Sequence, residues 1–472
     1  MRNFTKIISI IMLLQILTTI VWGIVLWQNW VSIFPLFKSA LLVLCALVLV
    51  VGFVGGLENK LVSATTAILT LVSMAILLWK GASVDTWING ITSYAMLTMF
   101  TGVLHFISFP ISIGKYNMAL LKFFTGRAST ARGINRAFQF MTYIMGFTAT
   151  FAGIPLSYFS TRLTAEALYK KGDATKILVN GWIRGWYPGM LLTPISVPMA
   201  ISIAASGATW ASAAAFLAFQ SFLIFAVSLL FFAGSKEPID KSKVPEVKEV
   251  PSLIGFVVGT AVLVAAIAFV PILTELNPVW CMGVFTVTVS ILWLFAIGKG
   301  GPGLAQIKTY LIERLGSPGI SGICAMILAI GFFGTAVKAV PEMLALIGGA
   351  LTSIVNVAGI LGLLIAIVLF HAILGYVGIN PFIVAPLLAA VLRSQNIAVH
   401  HVFFMLSLLV GQVWAITHSP LGIAPIVMAS LTGDPEVNSF RINLRWNLTY
   451  ASVSLLVEFL AIAAIYFVFY PV

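Results

Sequence analysis

The chain has 472 residues, 60% of them hydrophobic and 8% charged. A soluble domain carries about 25% charged residues, so the composition excludes a soluble enzyme or binding module and implies an all-α polytopic membrane protein. The net charge of +12 reads as basic loops against anionic lipid, with membrane lipid rather than nucleic acid as the partner.

A membrane span needs about 20 apolar residues. The first four fall at 7–27, 36–57, 61–79 and 90–113. The N-terminal apolar run is longer than a secretory h-region and has no small-x-small site after it, so it reads as a retained first span. Arg2 and Lys6 precede that span, and Lys115, Lys122, Arg127, Arg132 and Arg136 follow the fourth. An even number of crossings between two basic ends places both, and the N-terminus, in the cytoplasm.

The stretch 137–161 has basic residues on both sides. A full crossing puts one basic cluster outside. A re-entrant hairpin turning at Gly153-Ile154-Pro155 keeps both inside, and its tip then faces a cavity or a site. Next comes 175–206, broken at Thr193-Pro194-Ile195-Ser196, and 211–233 returns to the cytoplasm. Residues 234–252 are rich in Pro, Lys and Glu and read as a linker between an N-terminal half, 1–233, and a C-terminal half, 253–472.

The second half follows the same order, with spans at 253–273, 278–298 and 318–337 and an amphipathic stretch at 341–356. A second hairpin occupies 357–393, with its tip at Gly378-Ile379-Asn380-Pro381, and enters from outside. The broken span 402–431 is interrupted at Thr417-His418-Ser419-Pro420, and 447–469 leaves the C-terminus outside. The total is about eleven spans and two opposed re-entrant hairpins in an inverted-topology repeat, with one extra N-terminal helix. Proline spacing supports the repeat. Pro155 precedes Pro194 by 39 residues, Pro381 precedes Pro420 by 39, and the two sets lie 226 residues apart. Paired, interrupted apolar segments in two halves point to the binding site of a secondary transporter.

Pro155, Pro194, Pro381 and Pro420 each suit the first turn of a helix. Four helix N-termini near the midplane favour an anionic ligand. The candidate substrate and ion site is therefore Gly153, Pro155, Ser157, Thr193, Pro194 and Ser196 from the first half. The second half adds Gly378, Asn380, Pro381, Thr417, His418, Ser419 and Pro420. Oxygens of Thr193, Ser196, Asn380 and Ser419 are candidate sodium ligands. The alternative is that these small polar residues hydrogen-bond between helices as packing contacts. His418 either donates to an anion, carries a proton or serves as a structural donor. His105 and His371 read as interhelical hydrogen-bonders. The His400-His401 pair lacks a third metal ligand.

Glu458 is the one acidic residue well inside a predicted span, and it reads as a structural or dimer contact. Arg162 and Arg184 flank the first hairpin and the first broken helix, where they either attract anions or mark cytoplasmic loops. No phosphate-binding Gly-rich loop, H-E-x-x-H or plausible Ser/His/Asp set is present, so the reading is not an enzyme and implies no cofactor.

This layout resembles the ion transporter superfamily, especially the divalent anion:sodium symporters that carry dicarboxylates and citrate. The tips and breaks read Ala152-Gly153-Ile154-Pro155-Leu156-Ser157, Gly378-Ile379-Asn380-Pro381, Thr193-Pro194-Ile195-Ser196 and Thr417-His418-Ser419-Pro420 in place of that family's Ser-Asn-Thr signatures. The resemblance implies a homodimer in the cell membrane and an elevator motion of a transport part against a scaffold. It also implies a site between hairpin tips and broken helices. The function expected is secondary transport of a small organic anion with sodium or protons. The alternatives are a lipid-linked phosphate transporter, a cation/proton antiporter on the same fold, or an intramembrane enzyme acting on lipid.

Overall fold

The computed structural model of the protein describes residues 2–29, 34–55, 57, 60–126, 128–232, 236–243, 250–377, 381–419, 422–432, 444 and 446–469. Their regular structure is helical, apart from an isolated bridge between Thr130 and Pro238. Among the described residues, thirteen helical stretches are long and apolar enough to cross a membrane.

The chain opens with α1 (Arg2–Trp27), α2 (Phe34–Gly55) and α3 (Lys60–Trp79). The fourth expected span is a run of short helices: α4 (Val84–Thr92), α5 (Ala95–Val103) and α6 (Ser108–Ile113). Then come α7 (Tyr116–Thr125), α8 (Ala131–Ala149), α9 (Gly153–Leu168), α10 (Lys171–Leu192), α11 (Val197–Ser206) and α12 (Trp210–Phe231). The second half supplies α13 (Ile254–Thr274), α14 (Pro278–Ala296), α15 (Gly300–Thr309) and α16 (Pro318–Lys338). It ends with α17 (Pro341–Tyr376), α18 (Val384–Ser394), α19 (His401–His418), α20 (Ile423–Thr432) and α21 (Leu448–Phe469). Of the expected linker, 234–235 and 244–249 lie outside the described residues.

Local chemistry sets the helix ends. Asn277 accepts from the N–H groups of Val279 and Trp280, and Pro278 fills the first turn of α14, where its missing N–H costs nothing. Thr209 and Ser212 cap α12 reciprocally. Gly207, at φ 75°, closes α11 in the left-handed conformation. Gly359, at φ 66° and ψ −171°, interrupts α17 in a region open essentially to glycine alone. That break divides the expected amphipathic stretch from the first arm of the second helix–turn–helix.

The helices sort into two groups by contact. The first six helices pack with α13–α16, while α8–α12 pack with α17–α21. Each group takes helices from both halves of the sequence. α7 bridges them, and further contacts run from α11 to α5 and α14 and from α16 to α17 and α18. Large apolar side chains point outward, among them Leu36, Val50, Leu71, Leu78, Phe269, Leu273 and Val468. An exposed apolar surface of this extent is what lipid, rather than water, accommodates.

Candidate functional site

The first helix–turn–helix, α8 and α9, covers 131–168 and exceeds the expected 137–161. The helix runs through Arg132 and Arg136, and the Arg136 side chain donates from Nε and Nη2 to the carbonyl of Leu229, at 3.1 and 3.0 Å. The turn also differs from expectation. It lies at Thr150–Ala152, a 3-10 turn in which Thr150 has φ 50°, and Gly153 already begins α9. The expected tip residue Pro155 sits in that first turn, where its fixed φ and absent N–H are compatible with a helix. The reversal therefore falls upstream of it. Trp186 of α10 holds the turn, its indole N–H donating to the carbonyl of Thr150 at 2.8 Å. Gly153 passes close to the backbone carbonyl of Met145.

α10 reaches α8 through a stripe the sequence reading missed. Gly181, Gly185 and Gly189 recur at every fourth residue and let the backbones meet. A Cβ at Gly185 would collide with the Gln139 carbonyl and the Thr142 hydroxyl, and one at Gly189 with the Tyr143 carbonyl. Thr142 donates across the contact to the carbonyl of Gly181 at 2.9 Å. The small-x-x-x-small spacing was the available signal.

The first break follows α10. Thr193 ends that helix, and its hydroxyl accepts from Ile195 N at 3.3 Å. Ser196 is the N-cap of α11, accepting from Met199 N at 3.2 Å. Pro194 was expected in the first turn of a helix. It lies instead in the non-helical link, and Pro198 takes the early helical position. The reason is that the Ser196 hydroxyl caps the helix and so fixes its start at Val197, three residues later. Ser196→Ala is expected to cost about 1 kcal/mol, read as a lower midpoint of thermal unfolding in detergent.

At the second break α19 ends at His418, and α20 begins at Ile423. The hydroxyl of Ser419 donates to the carbonyl of Gly375 in α17 at 2.6 Å, tying the break to the second helix–turn–helix. The hydroxyl of Thr417 is spent on its own helix, donating to the Val413 carbonyl at 2.7 Å. Pro381 begins a 3-10 turn that leads into α18. Gly378, Asn380 and Pro420 lie outside the described residues.

The two breaks come together. Tyr187 of α10 meets His418 edge-on, ring centroids 4.8 Å apart. Gln412 of α19 donates to Ser202 of α11 at 3.1 Å. Advancing along α19 thus means retreating along α10 and α11, so the two broken segments run antiparallel. The helices after the turns are exchanged between halves, α9 packing on α20 and α18 on α11. Ser157 is buried near the start of α9, and its hydroxyl has no partner.

Next to His418 lies a buried polar cluster that the sequence reading did not assemble. Glu458 is fully buried within the protomer, and Tyr187 donates to its Oε1 at 3.0 Å. Of the two expected roles, structural or dimer contact, this geometry fits the structural one, because the carboxyl points inward between helices. Tyr450 lies 5.6 Å from the His418 ring. Arg184 donates to the Phe232 carbonyl at 2.9 Å and stacks over the rings of Phe232 and Tyr450. Arg162 pairs instead with Glu166 on its own helix.

The other histidines have local settings. His371 was expected to bond between helices. It bonds the carbonyl of Ile367 in its own helix at 2.7 Å, since Gly411 brings α19 directly over its ring. His105 stacks on Tyr310 with ring centroids 5.7 Å apart, and its Nδ1 has no partner. His400 caps α19 and stacks on His401.

Two cavities open beside the C-terminal end of α11. One, about 400 Å³, includes Ser206, Arg393, Asn396 and His401. The other, about 360 Å³, includes Ala204, Tyr94 and Asn277, and lies where the two helix groups meet.

No protein-family model matches the sequence, and no curated protein matches it. Among solved structures, the chain is similar to the YdaH transporter of Alcanivorax borkumensis, whose crystal structure is described as revealing an unusual topology. The TM-score is 0.55 at 11% sequence identity, over 86% of this chain and 99% of that one. At this identity the likeness is one of fold: an all-helical, multi-pass membrane architecture that this chain shares with a transporter.

Proposed function

We propose that the protein is a secondary transporter of a small organic anion, which it binds through a carboxylate-like group where the helix–turn–helix units meet the two breaks. The observation that carries this reading is the exchange between halves: α9 against α20, α18 against α11, and the broken segments antiparallel. Short helices begin after both turns and both breaks, and a helix N-terminus carries a partial positive charge of about half an elementary unit. Such ends bind carboxylates. The fold shared with a transporter supports the same class. The two groups of helices provide the two bodies that an elevator-type motion needs, with re-entrant hairpins carrying the site and eleven helices crossing the cell membrane. The charge distribution supports a cytoplasmic N-terminus and an external C-terminus, and the family resemblance supports a homodimer. A sodium or proton gradient drives the transport.

Ligand-dependent thermal stabilisation of the purified protein tests the reading, with succinate, citrate and phosphorylated small anions as probes. A ligand at about 100 times its Kd adds about 2.7 kcal/mol to the folded state. Stabilisation by a carboxylate, and labelled uptake of it into proteoliposomes, are expected. Both should weaken in Asn380→Ala and Ser419→Ala. Stabilisation by none of these anions, in protein shown to be folded, would overturn the assignment.

A further inference from the structure

Glu458 sits in the membrane interior on α21 with no exposure to solvent. Only one of its oxygens is satisfied. Tyr187 donates to Oε1 at 3.0 Å, and Oε2 has no partner. Among the described residues no cation pairs with it; Arg162, for example, is engaged by Glu166 and Lys80 by Glu342. The nearby titratable groups come from each neighbouring element. α10 brings Tyr187 and Arg184, the latter committed to the Phe232 carbonyl. α19 brings His418, whose two ring nitrogens are unpartnered, and α21 itself brings Tyr450. α17 brings His371, bonded to Ile367, and Tyr376, stacked near Trp414. α12, which also packs on α21, has no titratable side chain.

An ionised carboxylate buried without a cation costs several kcal/mol even after relaxation. A group so placed inside a membrane is neutral unless water reaches it, and such groups mark functional sites. A neutral carboxyl is one that carries a proton. The wall around this one belongs to the moving parts of the proposed cycle. Tyr187 lies six residues before Thr193, and His418 is the last residue before the second break. A displacement of either broken segment changes what Glu458 touches and whether water reaches it.

We infer that Glu458 is a proton-binding site whose loading is coupled to movement of the two broken segments, which makes the proton the driving ion. The inference rests on the transport reading above. The step is the exchange of one proton between the carboxyl group and water on whichever side the segments open.

Infrared difference spectroscopy of the purified protein, titrated across neutral pH with no solute added, tests the proton site by itself. The expected result is a protonated-carboxyl band that titrates in the wild type, is lost in Glu458→Gln and moves in frequency in Tyr187→Phe. A wild-type spectrum without such a band, or the same band in Glu458→Gln, would overturn the inference. If Glu458→Gln does not fold, an unmoved band in Tyr187→Phe overturns it equally. Coupling is then read in proteoliposomes with labelled succinate or citrate. Wild-type uptake should rise at least about tenfold with an inward proton gradient, and uptake by Glu458→Gln should be the same with and without it. Wild-type uptake indifferent to the gradient would overturn the coupling while leaving the transport reading in place. Absence of any uptake, with the band present, would overturn the transport reading instead.

Discussion

Gly185→Ala is expected to destabilise the protein, while Gly172→Ala in the same helix is expected to stabilise it. The sign follows from what a Cβ meets. At Gly185 it meets the backbone carbonyl of Gln139 and the hydroxyl of Thr142, and a backbone group cannot rotate away. Forcing a carbon into such a contact costs about 1–3 kcal/mol, and more when the helices must separate. Separation also strains the bond from Thr142 to the Gly181 carbonyl. At Gly172 nothing lies within contact distance, so alanine contributes only its better helix propensity, up to about 1 kcal/mol. Thermal unfolding of both variants in one detergent checks the pair. Equal midpoints would mean that α8 and α10 do not approach as closely as described.

Trp186→Ala is expected to have the larger effect. Trp186 is fully buried and holds the turn of the first helix–turn–helix through the Thr150 carbonyl at 2.8 Å. Removing a buried tryptophan side chain costs about 3–5 kcal/mol. The carbonyl of Thr150 then keeps only its bond from Gly153 N, in a residue already held at φ 50°, a conformation that persists only when its surroundings enforce it. Trp186→Phe separates the two contributions. It keeps most of the packing and removes the donor, for about 1–3 kcal/mol. Hydrogen exchange around residues 149–153 should rise in both variants, and more in the alanine one. Unchanged exchange in Trp186→Phe would show that the indole does not hold the turn.

Together the two results concern one assembly. The glycine stripe sets how close α10 comes to α8, and that distance brings Trp186 within reach of the turn. The next residue, Tyr187, faces the other way, toward His418 and Glu458. One turn of α10 thus connects the first helix–turn–helix to the buried carboxyl. A change at Gly185 is therefore expected to reach the proposed proton site through Tyr187.

Much of the architecture was legible in the sequence. In a membrane chain, apolar windows of fixed length and the prolines that interrupt them report directly on where helices run and where they break. Thr193–Ser196 and the residues after His418 are breaks for that reason, and Gly359 divides α17 close to the expected boundary. Finer placement depended on competition between local groups. The Ser196 hydroxyl, not Pro194, sets the start of α11. The reversal at Thr150 precedes Gly153 because a neighbouring helix supplies the donor that satisfies it.

What the sequence by itself determined was thus the all-helical membrane class and the order and interruption of the long apolar segments. Which helix meets which was decided only in the tertiary structure. Lipid is as apolar as a packed helix face, so α12, α13 and α21 are apolar nearly all round and carry no periodicity that identifies their inner side. The inward turn of Glu458, its bond to Tyr187 and the exchange of α9 and α18 between halves are properties of packing. They rest on small residues and single hydrogen bonds between segments far apart in the chain, and no local pattern encodes them.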